Sequence, residues 1–128
     1  LAFVAAEILL NNEALNGYAP EDIAVVMANK SATLQTDSKH CDSIKDRTDY
    51  YPSPAVFVYT LPNIMVGEIC IKYNIKGESV FFVQNQLDQA LLLDYAQGLL
   101  DDQLAKICIV GWVDYTEEDY YAILHLIK

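Results

Sequence analysis

No stretch of this 128-residue sequence is apolar for long enough to cross a bilayer, although 53% of its residues are hydrophobic. It does not open on a basic segment followed by an apolar run and a small-residue cleavage site. Basic residues are scarce: Lys and Arg number 8 against 18 Asp and Glu, a formal charge of −10. That balance excludes nucleic acid and anionic membrane surfaces as partners. Cysteine is scarce too. Cys41, Cys70 and Cys108 are odd in number and lack metal-type spacing, and Cys70 and Cys108 sit inside apolar segments. A disulfide scaffold is excluded and a reduced, cytoplasmic protein is expected. There is no internal repeat and no low-complexity segment. What remains is one domain, residues 1–128, with apolar surface enough for a core and for a face buried against a partner.

The chain is organised around residues 80–114. Val80, Phe81, Phe82 and Val83 form a β-branched and aromatic run without a polar break. That pattern predicts a strand buried on both faces. Gln84, Asn85 and Gln86 interrupt it. From Leu87 the apolar residues Leu87, Ala90, Leu91, Ala96, Leu99 and Leu100 recur at helical spacing until Asp101, Asp102 and Gln103 close the helix. Residues 107–113 are the next buried strand. A strand feeding a helix in this way puts Gln86 at the helix N-terminus, where free N–H groups and the helix dipole gather positive potential. Enzymes often mount a Cys or Ser nucleophile there. Gln is neither a nucleophile nor a base.

Before this segment, residues 1–15 read as an apolar helix (Ala2, Phe3, Ala5, Ala6, Ile8, Leu9, Leu10) that stops near Asn16-Gly17. It starts without a preceding strand or cap, so the chain reads as cut at its front. Pro20, Glu21 and Asp22 make a turn into a buried strand over residues 23–28. Residues 29–49 are polar and aperiodic and read as a long loop with room for a helical turn. Residues 50–54, with Pro52 and Pro54, are extended. Residues 55–75 read as a helix in two pieces, with Pro62 in the first turn of the second, Thr60 as its cap, and Gly67 marking close packing. Residues 74–78 turn into the strand at Val80. Residues 115–119 form an acidic loop, and residues 120–127 a last buried strand.

Residues 53–114 resemble the N-terminal half of a β-ketoacyl-(acyl carrier protein) synthase of the thiolase-like superfamily. The Pro-containing helix with Asn63 and Val66-Gly67 resembles that family's, as do the turn at Gly77, the strand from Val80 to Val83, and the strand ending in Gly111 and Asp114. The resemblance implies an α/β thiolase-like half-domain: a mixed, mostly parallel sheet flanked by helices, here without the family's first strand, the centre of its half-sheet. It also implies that the strand before the elbow pairs with its twin across a two-fold axis. The family's Thr-Ala-Cys elbow corresponds to Gln84-Asn85-Gln86, so Gln86 stands where the acyl-accepting Cys would be. Gln in this place resembles chain-length-factor subunits and decarboxylating ketosynthase domains. The family's two active-site histidines belong to its C-terminal half, and neither His40 nor His125 falls in a matching motif.

The resemblance therefore points to a non-catalytic partner or scaffold subunit in fatty-acid-like, polyketide or aryl polyene biosynthesis. It implies a homodimer or a heterodimer with a ketosynthase, and admits an acyl carrier protein as a further partner. Two alternatives stand beside it. One is a 3-oxoacyl synthase or decarboxylase that draws its histidines from a missing half or a partner. The other is an acyl or small-molecule binding domain. No cofactor and no metal are expected. His40-Cys41-Asp42 cannot bring two adjacent ligands onto one tetrahedral ion. His125 reads as a hydrogen-bonded core histidine and Cys108 as inert packing. Asp114, Glu117, Glu118 and Asp119 read as a solvated loop. Tyr115, Tyr120 and Tyr121 are candidates for an interface.

Overall fold

Four strands make one sheet in the order β2-β1-β3-β4, with β1 (Ile23–Asn29), β2 (Ser79–Val83), β3 (Ile107–Tyr115) and β4 (Tyr120–Ile127). The structure is a computed structural model and describes residues 1–11, 14–48 and 50–128. β1 runs parallel to β2, from Val25 opposite Ser79 to Asn29 opposite Val83, and parallel to β3, from Ile23 opposite Ile107 to Ala28 opposite Trp112. β4 returns antiparallel, with Cys108 opposite Ile127 and Tyr115 opposite Tyr120. The expected mixed, mostly parallel sheet flanked by helices is therefore what the chain forms. The two central strands pair directly, so among the described residues the centre of the sheet is closed.

The period of two along each strand sorts the core into two faces. Ile23, Val25 and Met27 of β1, with Ile107, Ile109 and Val113 of β3, point to one face. There they meet Ala2, Ala6 and Leu10 of α1 (Ala2–Leu10) and Val66 and Ile69 of α4 (Ile64–Tyr73). Ala24, Val26 and Ala28, with Cys108, Val110 and Trp112, point to the other face. Leu92, Ala96 and Leu99 of α5 (Gln89–Asp101) cover that side. Every residue of β1 is buried because both its faces are roofed. A fully buried aliphatic side chain such as Ile69 or Leu92 stabilises the fold by about 1.5–3 kcal/mol.

The amino ends of the strands are tied by the short 3-10 turn Pro20–Asp22. Pro20 O accepts from Lys76 N at 2.8 Å, Asp22 O accepts from Lys106 N at 2.7 Å, and Lys106 Nζ pairs with Asp22 Oδ2 at 2.7 Å. Gly77 lies against this turn. A methyl carbon built on it would stand 2.7 Å from Glu21 O, so no larger residue fits without moving backbone.

Several expectations need correction. The polar stretch 29–49 is not a loop with a helical turn; it holds the ten-residue helix α2 (Leu34–Ser43). No residue of α2 is buried, and hydrophobic periodicity cannot reveal a helix that has no core face. It is held from its first turn instead. Thr33 Oγ1 donates to Asp37 at 3.1 Å and to Thr60 O at 3.0 Å, and the His40 ring packs, tilted, against Phe57 of α3 (Pro54–Val58) with ring centroids 5.4 Å apart. α1 stops at Leu10, ahead of Asn16-Gly17, where Asn11 turns to φ 27°. The rest of that expected helix includes Asn12 and Glu13, which lie outside the described residues, as does Asp49. Asn63, not Thr60, occupies the N-cap position of α4, and the Thr60 hydroxyl donates to Phe57 O. Gly67 meets nothing within 4 Å of its absent side chain, so it marks no close packing within the chain.

Neither β2 nor β4 is fully buried. Both are half-covered outer strands, with the ends of β2 (Ser79 and Val83) exposed. β4 is apolar on both faces because Ala122, Leu124 and Leu126 pack toward α1 while Ile123 and Ile127 pack toward α5.

Candidate functional site

The parallel strands β1, β2 and β3 end on the same side of the molecule, at Asn29, Val83 and Tyr115. Residues 84–86 lie at this end. Gln84 extends the ladder by one bond, donating its N–H to Asn29 O at 2.9 Å. Its side-chain Oε1 is buried without a partner among the described residues. Asn85 and Gln86 are exposed, in a bend.

The helix after them starts later than the apolar spacing suggests. Asp88 is the N-cap of α5, its Oδ1 accepting from Leu91 N at 3.0 Å, and Gln89 is the first helical residue. Gln86 thus sits outside the helix, and the free N–H of Leu91 in its first turn is capped by the Asp88 carboxylate. The sequence signal for this was Asp88 itself, a strong N-cap type at the head of the apolar spacing.

The other sequence candidates are scattered. Asp114, late in β3, reaches across to the loop after β1: Oδ1 accepts from Ser31 N at 3.0 Å and Oδ2 from Ser31 Oγ at 3.2 Å. It fixes loop geometry. Glu117 and Glu118 are exposed in the hairpin turn, which closes through Thr116 N to Asp119 O at 2.8 Å. Among the described residues no cluster of His, Cys, Asp and Glu is placed to hold a metal ion. His125, expected to be hydrogen-bonded in the core, is half-buried, and its Nε2 has no partner among the described residues. His40 lies on α2 with Nδ1 likewise unpartnered. Tyr115, Tyr120 and Tyr121 are all exposed around the β3–β4 turn.

The three cysteines differ sharply in environment. Cys41 is exposed on α2. Burial pushes the Cys70 thiol up from its ordinary value of 9.0, and pushes Cys108, inside the sheet, up to about 12. Only a thiolate attacks readily, so alkylation under native conditions at neutral pH should follow the order Cys41, Cys70, Cys108, with Cys41 ahead of Cys108 by a factor of roughly 100 or more. Mass-spectrometric peptide mapping over time reads this order; equal rates would mean that the sheet opens as easily as α2. A pH dependence follows. An unfolded chain releases the Cys108 proton near 9.0, whereas the folded state holds it to about 12. Stability therefore falls as pH rises through that window.

Searched against protein-family models, the chain matches none. No curated protein matches it either. Among solved structures it is similar to the one described as "The ishigamide ketosynthase/chain length factor", with a TM-score of 0.76 and 21% sequence identity. The match covers 98% of this chain and 41% of that one, so the chain spans less than half of its neighbour's length. No helix among the described residues is long and apolar enough to cross a membrane. Over 98% of its length the chain shares the mixed α/β fold of part of that ketosynthase/chain length factor structure.

Proposed function

We propose that this chain works as a non-catalytic, ketosynthase-like partner subunit in polyketide-type biosynthesis, paired through β2 with a second copy or with a ketosynthase. The observation that carries the reading is the elbow. Residues 84–86 follow the outer strand in a fold like that of a ketosynthase/chain length factor, and they present Gln84, Asn85 and Gln86 in place of a nucleophile. Covalent acyl transfer needs an activated nucleophile with a base beside it. Gln86 is neither, and Cys108 is buried in the sheet with its thiol held neutral. The outer edge of β2 is free among the described residues, and an unprotected apolar edge is a pairing surface. An acyl carrier protein, a fatty-acid-like or aryl polyene pathway, and a cytoplasmic setting are consistent with this role.

Incubation with an acyl thioester followed by intact mass should show no stoichiometric adduct. An acyl group mapped to the peptide spanning residues 84–87, or to Cys108 at full occupancy, would overturn the non-catalytic reading and favour a transferase or decarboxylase that takes its base from a partner.

A further inference from the structure

A cavity of about 540 Å3 opens at the carboxyl ends of β1 and β3. The topology explains its place. The chain leaves β1 toward β2 by way of α4, on the face that also carries α1, and leaves β2 toward β3 through α5 on the opposite face. The two connections part between β1 and β3, and in open α/β sheets such a parting leaves a crevice at the strand ends where ligands bind. The volume falls within the roughly 300–1,000 Å3 of small-molecule sites.

The wall is mostly apolar, with Phe3 of α1, Ile64 and Met65 of α4, and Val113 of β3 contributing to it. Several of its polar groups are already engaged. Asn29, only 2% exposed, spends its amide on Ala32: Nδ2 donates to Ala32 O and Oδ1 accepts from Ala32 N, both at 2.9 Å. The Thr33 hydroxyl is held by Asp37 and by Thr60 O. Among the described residues, Glu68 is the one charged side chain lining the cavity. Its Oε1 accepts from the Tyr59 hydroxyl, a bond that raises the Tyr59 pKa above 10.0 and keeps the phenol protonated. Its Oε2 has no partner among the described residues, leaving an acceptor for a ligand. An anionic ligand would set like charge against this carboxylate in a chain whose formal charge is already −10.

We propose that this cavity binds a neutral, mostly apolar small molecule that donates a hydrogen bond to Glu68. The site does not rest on the partner-subunit reading and lies away from the free edge of β2. Phenylnaphthylamine and its sulfonated relative anilinonaphthalene sulfonate are suitable probes: they share a ring system and an N–H and differ by one negative charge. Titrated into the full chain, the neutral amine should give a saturable rise in fluorescence, and the sulfonate should bind at least about tenfold more weakly. Met65→Trp, which fills the cavity, should weaken amine binding by about tenfold or more while far-UV circular dichroism stays unchanged. Should that variant not fold, Ile64→Phe makes the same test. Glu68→Gln should weaken amine binding by about threefold to tenfold, because a neutral amide accepts the ligand's hydrogen bond less strongly than a carboxylate, and should narrow the gap between the two probes, because the repelling charge is gone. Unsaturable or equal binding of both probes would overturn the site, as would amine binding that survives a folded cavity-filling variant. A cavity occupied by other parts of the protein would give no saturable binding and has the same consequence.

Discussion

Replacing Gly111 with alanine is expected to lower stability by about 2–4 kcal/mol, more than any conservative change on the surface. Gly111 lies in the middle of β3, opposite Leu124 of β4. A methyl carbon built there would stand 2.9 Å from Leu124 Cα and would also press on the Ile123 carbonyl oxygen and the Leu124 side chain. Two of those contacts are backbone, so β4 must move as a unit, and the face it shares with α1 must loosen. Urea unfolding measures the loss, with a lower midpoint at unchanged slope. Gly98→Ala is the matched control. Gly98 is interior to α5, with nothing within 4 Å of its missing side chain, so alanine there should raise stability by about 0.5–1 kcal/mol. A Gly111→Ala protein as stable as the parent would mean that β4 does not sit against β3 as described.

If the chain pairs through β2 as proposed, Val83→Pro is expected to turn that dimer into a monomer. Around β2, Val25 N donates to Glu78 O and Gln84 N donates to Asn29 O, both at 2.9 Å. In a parallel strand the N–H and C=O of one residue point the same way and alternate along the chain. Residues 80 and 82 therefore bond inward to β1, while the N–H groups of Ser79, Phe81 and Val83 face outward. Val83 is 57% exposed, so proline there removes an outward donor and costs little packing. If β2 is the pairing strand, the dissociation constant should rise at least about 100-fold with circular dichroism unchanged. Hydrogen exchange adds residue detail. The Phe81 and Val83 amides should exchange slowly in the parent and the Phe81 amide fast in the variant, with Val80 and Phe82 slow in both. A parent protein that is monomeric at micromolar concentration, with Phe81 and Val83 exchanging fast, would rule out this edge as the interface.

Apolar patterning alone located every strand. Residues 23–28, 80–83, 107–113 and 120–127 are runs of β-branched, aromatic and aliphatic residues bounded by turns, and each lies in a strand that extends it by two residues at most. The fold class was legible for the same reason: strands alternating with helices bury a parallel sheet between helical layers. What patterning could not see was structure without an apolar face. α2 is polar all round, anchored by Thr33 and by His40 on Phe57, and nothing in residues 34–43 by themselves distinguishes it from a loop.

Sequence by itself determined which residues are apolar, where the chain turns, and that Gln84, Asn85 and Gln86 follow the run from Val80 to Val83. These are local properties, set by side-chain chemistry and by the preferences of Pro, Gly and Asp for particular backbone angles. Tertiary structure decided which strands lie at the edge. Four residues apolar on both sides, Val80 to Val83, read as fully buried, yet among the described residues β2 has a neighbour on one side only, because strand order depends on which face each connection crosses. Tertiary structure also placed Gln86 outside α5 and left a cavity between Phe3, Met65 and Val113. Those residues are far apart in the chain, and only the crossing of the connections at the carboxyl ends of β1 and β3 brings them together.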